Sequence, residues 1–388
     1  MTTSTEDLVD APAGLRNVVV TTTQIGDVRG DEGFYHYRQH SAIDLATTAT
    51  FEEVWFLFVE GRLPSEPELA AFTEVIAARR ELPEELVELL PAIALGGDRF
   101  DPLAGLRTAL SLLGATRGLA KLWDADPRTA KDDALTVCAV TPTILAALYR
   151  HRAGKEPLAP CPDLSTAANL LYLITGDTPD PAMARAVERY LIATIDHGFN
   201  ASTFTARVVA SAGADVVAAV AAAIGTFSGP LHGGAPDRAL DALDAIGTPD
   251  RIDDWVRAQV LAGDRIMGFG HAVYRVEDPR ARMLREIAQH IGGDLVDFAV
   301  QVEQRVTTIL AELKPGRELP VNVEFYAGVV MQLCGIPREM FTPTFTVSRV
   351  IGWCANILEQ SETGKIIRPA ARYVGPALSF GPVSRSRS

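Results

Sequence analysis

The sequence predicts a mainly α protein: a large helical body, a smaller helical lobe inserted into it, and a small β-hairpin near the N-terminus. Three observations carry this expectation. Apolar residues recur at helical spacing along most of the chain, with Gly or Pro between the runs. After Pro230 the texture changes, and turns at Gly233-Gly234, Gly268-Phe269-Gly270, Asp278-Pro279-Arg280 and Lys314-Pro315-Gly316 separate shorter helices. Convincing strand signals are confined to Asn17–Arg38. The expected division is residues 1–233 for the first part of the large domain, 234–335 for the small domain, and 336–388 for the return segment. The last residues, Ser379–Ser388, read as a polar tail.

Taken in order, Asn17-Val18-Val19-Val20-Thr21-Thr22-Thr23 is β-branched, and the turn-like Gly30–Gly33 leads into Phe34-Tyr35-His36-Tyr37. A helix is expected over Phe51–Val59, closed by Gly61 ahead of Leu63-Pro64. Glu68–Arg80, Thr136–His151, Ser165–Leu173 and Ala182–Ile195 repeat the period. Val216–Ile224 is the most apolar stretch; it is too short to span a bilayer and reads as a buried helix. Trp255–Leu261 reads as a helix, and Asp278-Pro279 opens another. Asn322 is a natural N-cap for Val323–Cys334, which stops at Gly335 before Pro337. A long apolar helix follows at Val347–Leu358.

The chain has 388 residues, 47% of them hydrophobic, with 36 Lys+Arg against 49 Asp+Glu and a net charge of −13. That supplies a large core and argues against a nucleic-acid groove or a polybasic membrane surface. A small anion held by a few local arginines remains compatible. Cys138, Cys161, Cys334 and Cys354 are scattered, without C-x-x-C, so neither a disulfide framework nor a zinc knuckle is expected. Met1–Ala13 lacks the basic region and apolar core of a signal peptide, and a cytoplasmic enzyme is the expectation.

Of seven histidines, three adjoin glycine: His197 in Asp196-His197-Gly198-Phe199-Asn200, His232 in Gly229-Pro230-Leu231-His232-Gly233-Gly234, and His271 in Gly268-Phe269-Gly270-His271-Ala272. Glycine lets backbone approach a ligand and leaves N–H donors free, although such histidines also serve simply as turn residues. No spacing puts two imidazoles on one helical face, so no metal site is expected. Gly268-Phe269-Gly270 follows a helix and lacks a third glycine, so it is not a dinucleotide fingerprint.

Arg275, Arg280, Arg282 and Arg285 follow His271, and Arg282 and Arg285 read as a solvated helix face. Arg349 is embedded in the apolar run Phe345–Trp353, where a guanidinium needs either an internal carboxylate or a ligand's. Arg368, in Ile366-Ile367-Arg368-Pro369, poses the same choice. Glu324 falls in the first turn of its helix, where an acid commonly just complements the dipole.

Taken together, these segments resemble the citrate synthase family over nearly the whole chain. The likeness lies in the hairpin followed by Phe51-Glu52-Glu53-Val54-Trp55 and Gly61-Arg62-Leu63-Pro64, then the His197, His232 and His271–Arg280 segments. Asn322-Val323-Glu324-Phe325-Tyr326-Ala327-Gly328, Ser348-Arg349 and Arg368-Pro369 complete the ordered series. The resemblance implies a two-domain helical homodimer whose small domain closes over its substrates, acetyl-CoA and oxaloacetate, and no resident cofactor. It further implies Glu324 as the base on the acetyl methyl, His232 as the donor to the thioester carbonyl and His271 as the donor to the ketone. His197, Arg280 and Arg349 would hold oxaloacetate, with Arg368 reaching the other subunit's site. Met267, Gly268, Phe269, Gly270, Arg275 and Lys314 resemble the coenzyme A contacts.

The chemistry asks for such a set. A thioester methyl is a far weaker acid than Glu, whose reference pKa is about 4.3, so a carboxylate can deprotonate it only while the enolate is stabilised. One preorganised donor supplies roughly 3–4 kcal/mol of that. Two departures stand out. The family commonly has Asp where this chain has Glu324, and an uncompensated shift of about 1 Å can cost about 10²-fold; shorter bacterial members resemble this chain in having Glu, so a compensated site is expected. The family also often has Arg where this chain has Ala272 and Ala370, with Arg372 the expected substitute for the second. A 2-methylcitrate synthase using propionyl-CoA, and a retired dimer that only binds acyl-CoA or a dicarboxylate, are the alternatives.

Overall fold

The computed structural model of the chain describes residues 8–97, 100–230, 232–233, 236–271, 273–316 and 319–376, and of residues 236–238 the backbone alone. Gly234, Ala272 and the Ser379–Ser388 tail lie outside the described residues. Within them are a three-stranded sheet and sixteen α-helices.

The sheet is β1 (Gly26–Arg29), β2 (Phe34–Tyr37) and β3 (His40–Ser41), antiparallel in that order, with Gly26 opposite Tyr37 and Arg29 opposite Phe34. The expected strand at Asn17–Thr23 is absent. That run is irregular and Val19 is 84% exposed, because it meets no neighbouring strand and no apolar face. A β-branched run makes a strand only where a pleated, half-buried surface receives it. On β2, Tyr35 and Tyr37 point inward and donate to the carbonyls of Ala193 (2.8 Å) and Ile192 (2.9 Å). The turn between β1 and β2 docks on a distant loop: Arg275 N–H donates to Gly30 O at 3.1 Å, and a Cβ at Gly30 would lie 2.3 Å from Val273 O.

The helices before residue 230 are α1 (Ala42–Thr48), α2 (Phe51–Glu60), α3 (Glu66–Ala78), α4 (Glu84–Ala94), α5 (Pro102–Arg117), α6 (Pro127–Arg152), α7 (Thr166–Thr175), α8 (Pro181–Thr194), α9 (Ala201–Ser211) and α10 (Val216–Phe227). Their ends follow ordinary capping chemistry. Thr50 and Glu53 close a capping box at α2, whose far end is a left-handed Gly61. Asp126 and Asp180 accept from first-turn amides ahead of Pro127 and Pro181. α6 is long and apolar enough to cross a bilayer, yet 78% of its apolar window is buried, which makes it a core helix. Val216–Phe227 is likewise a buried helix, as its composition predicts.

After residue 230 come α11 (Pro236–Ile246), α12 (Ile252–Ala262), α13 (Pro279–Ile291), α14 (Asp294–Leu313), α15 (Val323–Leu333) and α16 (Phe341–Thr363). α11 to α15 pack largely on one another, and meet the rest through α15 on α8, α11 on α16, and α13 on α1 and α8. α16 returns to the body and runs against α9, α6, α10 and α8. Gly352 makes this approach close, since a Cβ there would sit 2.2 Å from Ile195 O. Two polar ties hold the same contact: Ser348 Oγ lies 2.8 Å from Thr194 Oγ1, and Trp353 Nε1 donates to Ser202 Oγ at 3.1 Å.

Candidate active site

α16 thus braces the segment Thr194–Ser202, which carries His197 and opens α9. Asn200 caps α9, accepting from Thr203 N–H, so the free amide of Ser202 points out of the helix start. It donates to His232 Nε2 at 3.3 Å. The Ser202 hydroxyl lies 2.8 Å from both that nitrogen and Asn200 Oδ1. An amide only donates, so Nε2 is a lone-pair acceptor and the proton of neutral His232 sits on Nδ1. The loop bringing His232 there needs glycine: a Cβ at Gly233 would lie 2.5 Å from Phe227 O.

His271 is tied the opposite way round. Its Nδ1 accepts from the amides of Val273 (2.9 Å) and Tyr274 (3.0 Å), while Nε2 faces one donor at longer range, Arg280 Nη2 at 3.3 Å; two shorter amide contacts against one place the proton on Nε2. Asp278 organises the start of the next helix. It caps α13 through Arg280 N–H at 3.0 Å and grips the Arg280 side chain at Nε (3.0 Å) and Nη2 (2.8 Å). It also accepts from Val323 N–H at 3.2 Å, in the first turn of α15. Glu324 is next along, its amide donating to Asn322 Oδ1 at 3.0 Å. Asn322 and the Gly268–Gly270 loop are stitched together: Asn322 N–H donates to Gly268 O (2.8 Å), Asn322 Nδ2 to Gly270 O (2.9 Å), and Gly270 N–H to Pro320 O (2.8 Å). Glu324, His271 and Arg280 therefore share one hydrogen-bonded frame.

His197 joins the two halves. Its ring centroid is 5.9 Å from that of His271 and 5.4 Å from that of Tyr35, and its Nε2 lies 2.9 Å from the Tyr274 hydroxyl. Arg280 is 5.9 Å from both the Tyr35 and Tyr274 rings. Arg349 is 3% exposed and stacks 4.9 Å from the Phe345 ring. Its Nε is buried without a hydrogen-bond partner, and no carboxylate among the described residues forms an ion pair with it. Asp196 acts on it electrostatically, but the hydrogen bonds to that carboxylate come from Gly198 N–H and the Asn356 amide. Of the two partners the sequence allows for Arg349, the internal carboxylate, Asp196, acts on it only through space, without a hydrogen bond or close ion pair.

The site keeps its imidazoles uncharged. Burial, then Arg349, push His232 down to about 4. Burial and Arg280 take His271 to about 4 against a smaller opposing pull from Asp278. His197 falls well below its usual range through burial, then Arg280, Arg349 and His271. Burial raises the Asp196 carboxyl to about 6, with Arg349 opposing. These directions fix a sign. The folded histidines titrate below the unfolded value of about 6.5, so their stabilising contribution is complete above that pH and is lost as pH falls toward 4. Asp196 works the other way, losing its contribution as pH rises through 6. Nitrogen-15 spectra should show His232 and His271 neutral from pH 7 to 5, as the Nδ1–H and Nε2–H forms respectively. An imidazolium at pH 6 would contradict this arrangement.

The Gly268–Gly270 loop also borders a cavity of about 440 Å³ lined by Arg265, Phe269, Gly270, His271, Lys314 and Leu319, among others. Lys314 therefore stands beside the loop, and Arg265 joins it, a cation that sequence reasoning missed. Met267 is half-buried and Arg275 exposed, and neither lines that cavity. The solvated-face expectation holds for Arg282 and fails for Arg285, which bridges Glu303 (2.7 Å) and Glu277 (2.8 Å). Arg368 is exposed and apart from the cluster: the neighbouring Ile367 N–H donates to Ser211, at the far end of α9 from Ser202. At about 1.5 Å per residue that is roughly 14 Å. Arg372 pairs with Asp10 at the surface. Among the described residues no His, Cys, Asp and Glu side chains group as metal ligands would.

Ser202, Tyr274 and Asp278 are the site residues the sequence did not single out. Asp278 carried a usable signal, the Asp-Pro of a helix start.

Comparison with known proteins identifies the family. The family model described as "Citrate synthase, C-terminal domain" matches residues 14–370. A citrate synthase of Deinococcus radiodurans is 35% identical over 93% of this chain and 95% of its own. A 2-methylcitrate synthase of Mycobacterium tuberculosis is 37% identical over 94% of this chain and 91% of its own. The structure of a Thermoplasma acidophilum citrate synthase in ternary complex with carboxymethyl coenzyme A and oxaloacetate superimposes with a TM-score of 0.86 at 29% identity, covering 95% of this chain and 98% of that one. The chain belongs to the citrate synthase family of acyltransferases.

Proposed function

We propose that the chain condenses acetyl-CoA with oxaloacetate through an enol and hydrolyses citryl-CoA to citrate and CoA. The observation that carries this is a pair of backbone contacts that favour opposite tautomers: His232 Nε2 accepts from the Ser202 amide and His271 Nδ1 from the amides of Val273 and Tyr274, which assigns the protons to Nδ1 of the first and Nε2 of the second. Two neutral donors are suited to two carbonyl oxygens that gain charge in turn.

In this reading Glu324 removes the methyl proton while His232 Nδ1–H stabilises the thioester oxygen. The enol carbon attacks the ketone, whose oxygen is met by His271 Nε2–H. His197, Arg280 and Arg349 hold the oxaloacetate carboxylates, and Arg368 serves the site of a second copy in a homodimer. Met267 to Gly270, Arg275 and Lys314 receive coenzyme A. The helices within 234–335 act as a small domain that closes to exclude water, then admits one for hydrolysis.

A second reading is 2-methylcitrate synthesis from propionyl-CoA, favoured by the relative of that name at 37% identity. One methylene gives only about 10- to 200-fold discrimination in an apolar pocket. Thiol release should be compared for the two thioesters, each with oxaloacetate. A higher kcat/KM for acetyl-CoA is expected; a propionyl preference makes the second reading correct, and no release with either leaves a binding protein.

A further inference from the structure

We infer that Tyr274 is a positioning residue that fixes the proton positions of two active-site imidazoles in opposite senses, using its hydroxyl for His197 and its backbone amide for His271. This role rests on the proposed binding of oxaloacetate by His197, and it adds a residue to that reading.

The hydroxyl's part follows from where its proton can go. Tyr274 is 2% exposed, and the only hydrogen-bond partner of its hydroxyl among the described residues is His197 Nε2, 2.9 Å away. A buried phenol needs an acceptor for its proton. Burial raises this phenol's pKa well above the usual value, so it keeps that proton across the working range. The facing imidazole is neutral, with a single N–H to place. Were that proton on Nε2, two hydrogens would compete for one line of contact and the phenolic one would be stranded. Nδ1 would then turn a lone pair toward an anionic ligand. With Tyr274 as donor, Nε2 accepts, and the Nδ1–H of His197, which has no partner among the described residues, is available to a carboxylate oxygen.

The backbone contact is independent of the hydroxyl. The Tyr274 amide, 3.0 Å from His271 Nδ1, acts with that of Val273 to favour the proton on Nε2 against the single, longer Arg280 Nη2 contact there. The ring completes the arrangement, with its centroid 4.8 Å from His271 and 5.4 Å from His197. Placing both functions on one residue couples the two histidines: a displacement of Tyr274 would disturb both at once.

Tyr274→Phe separates the two roles, since it keeps the ring and the amide and removes the hydroxyl. Losing one partner of a buried polar group costs about 1–3 kcal/mol, or roughly 5- to 150-fold. The oxaloacetate KM should rise by about that factor while kcat stays within about threefold of wild type. In nitrogen-15 spectra of the ligand-free wild type, His197 should be the Nδ1–H form. In the variant it should shift toward a mixture, with His271 unchanged as Nε2–H. A merely structural role would move neither the tautomer nor KM selectively. A wild-type His197 in the Nε2–H form, or a variant with unaltered KM and tautomer, would overturn the assignment. Because the spectra use ligand-free protein, they decide the Tyr274 assignment even if oxaloacetate proves not to bind, an outcome that would instead overturn the functional reading.

Discussion

Glu324→Gln is expected to lower kcat by about 10³-fold, within the 10²- to 10⁴-fold that a general base contributes, and to leave oxaloacetate binding within about twofold. Glutamine keeps the size and the amide-to-Asn322 cap at the start of α15, so the helix and its ties to the Gly268–Gly270 loop persist. What it removes is the basic oxygen. Turnover can be followed by thiol release and oxaloacetate binding by calorimetry, so chemistry and binding are read separately. Equal turnover in the two proteins would refute the base assignment. Asn322 and Asp278 fix the first turn of α15 from two sides, so the carboxylate is placed by backbone contacts as well as by its own rotamer.

Arg349→Leu is expected to raise the oxaloacetate KM by roughly 10²- to 10³-fold, since truncating one partner of a buried charge pair costs about 2–5 kcal/mol. The same substitution should leave the melting temperature unchanged or higher. In the free protein the guanidinium is desolvated without a close ion-pair partner among the described residues, a cost that leucine removes, and Asp196, which it favours through space, keeps its hydrogen bonds from Gly198 and Asn356 and can take up a proton. Loss of binding without loss of stability is the signature of a residue kept for its ligand. An unchanged KM together with a lowered melting temperature would mean that Arg349 answers to the protein itself.

How much of the fold and site was legible in the sequence depends on the range of the interaction. Helix ends were readable because capping is local: Gly61, Asn322 and Asp278-Pro279 announce themselves within a few residues. The glycine-flanked histidines were readable too, since a close backbone approach leaves glycine behind. The partners that set their protons were not. Ser202 is 30 positions from His232, and Tyr274 is 77 from His197, so only tertiary packing brings them together. Arg285 fails for the same reason, because its carboxylates come from a preceding loop and from α14. The misplaced strand at Asn17–Thr23 shows the converse: a strong local preference with no surface to receive it stays irregular.

Gly352 sits one helical turn beyond Arg349 on the same face of α16, and it lets the Ile195 carbonyl rest directly against that helix. The spacing of the backbone segments that carry His197 and Arg349 is consequently set where main chain meets main chain, with the Ser348–Thr194 tie beside it. Packed interiors compress little. The two groups therefore behave as the jaws of a caliper with a locked opening. On the proposed reading, a dicarboxylate spanning them would be selected by its length as well as by its charge. Changing that length would require these two backbone segments to move apart.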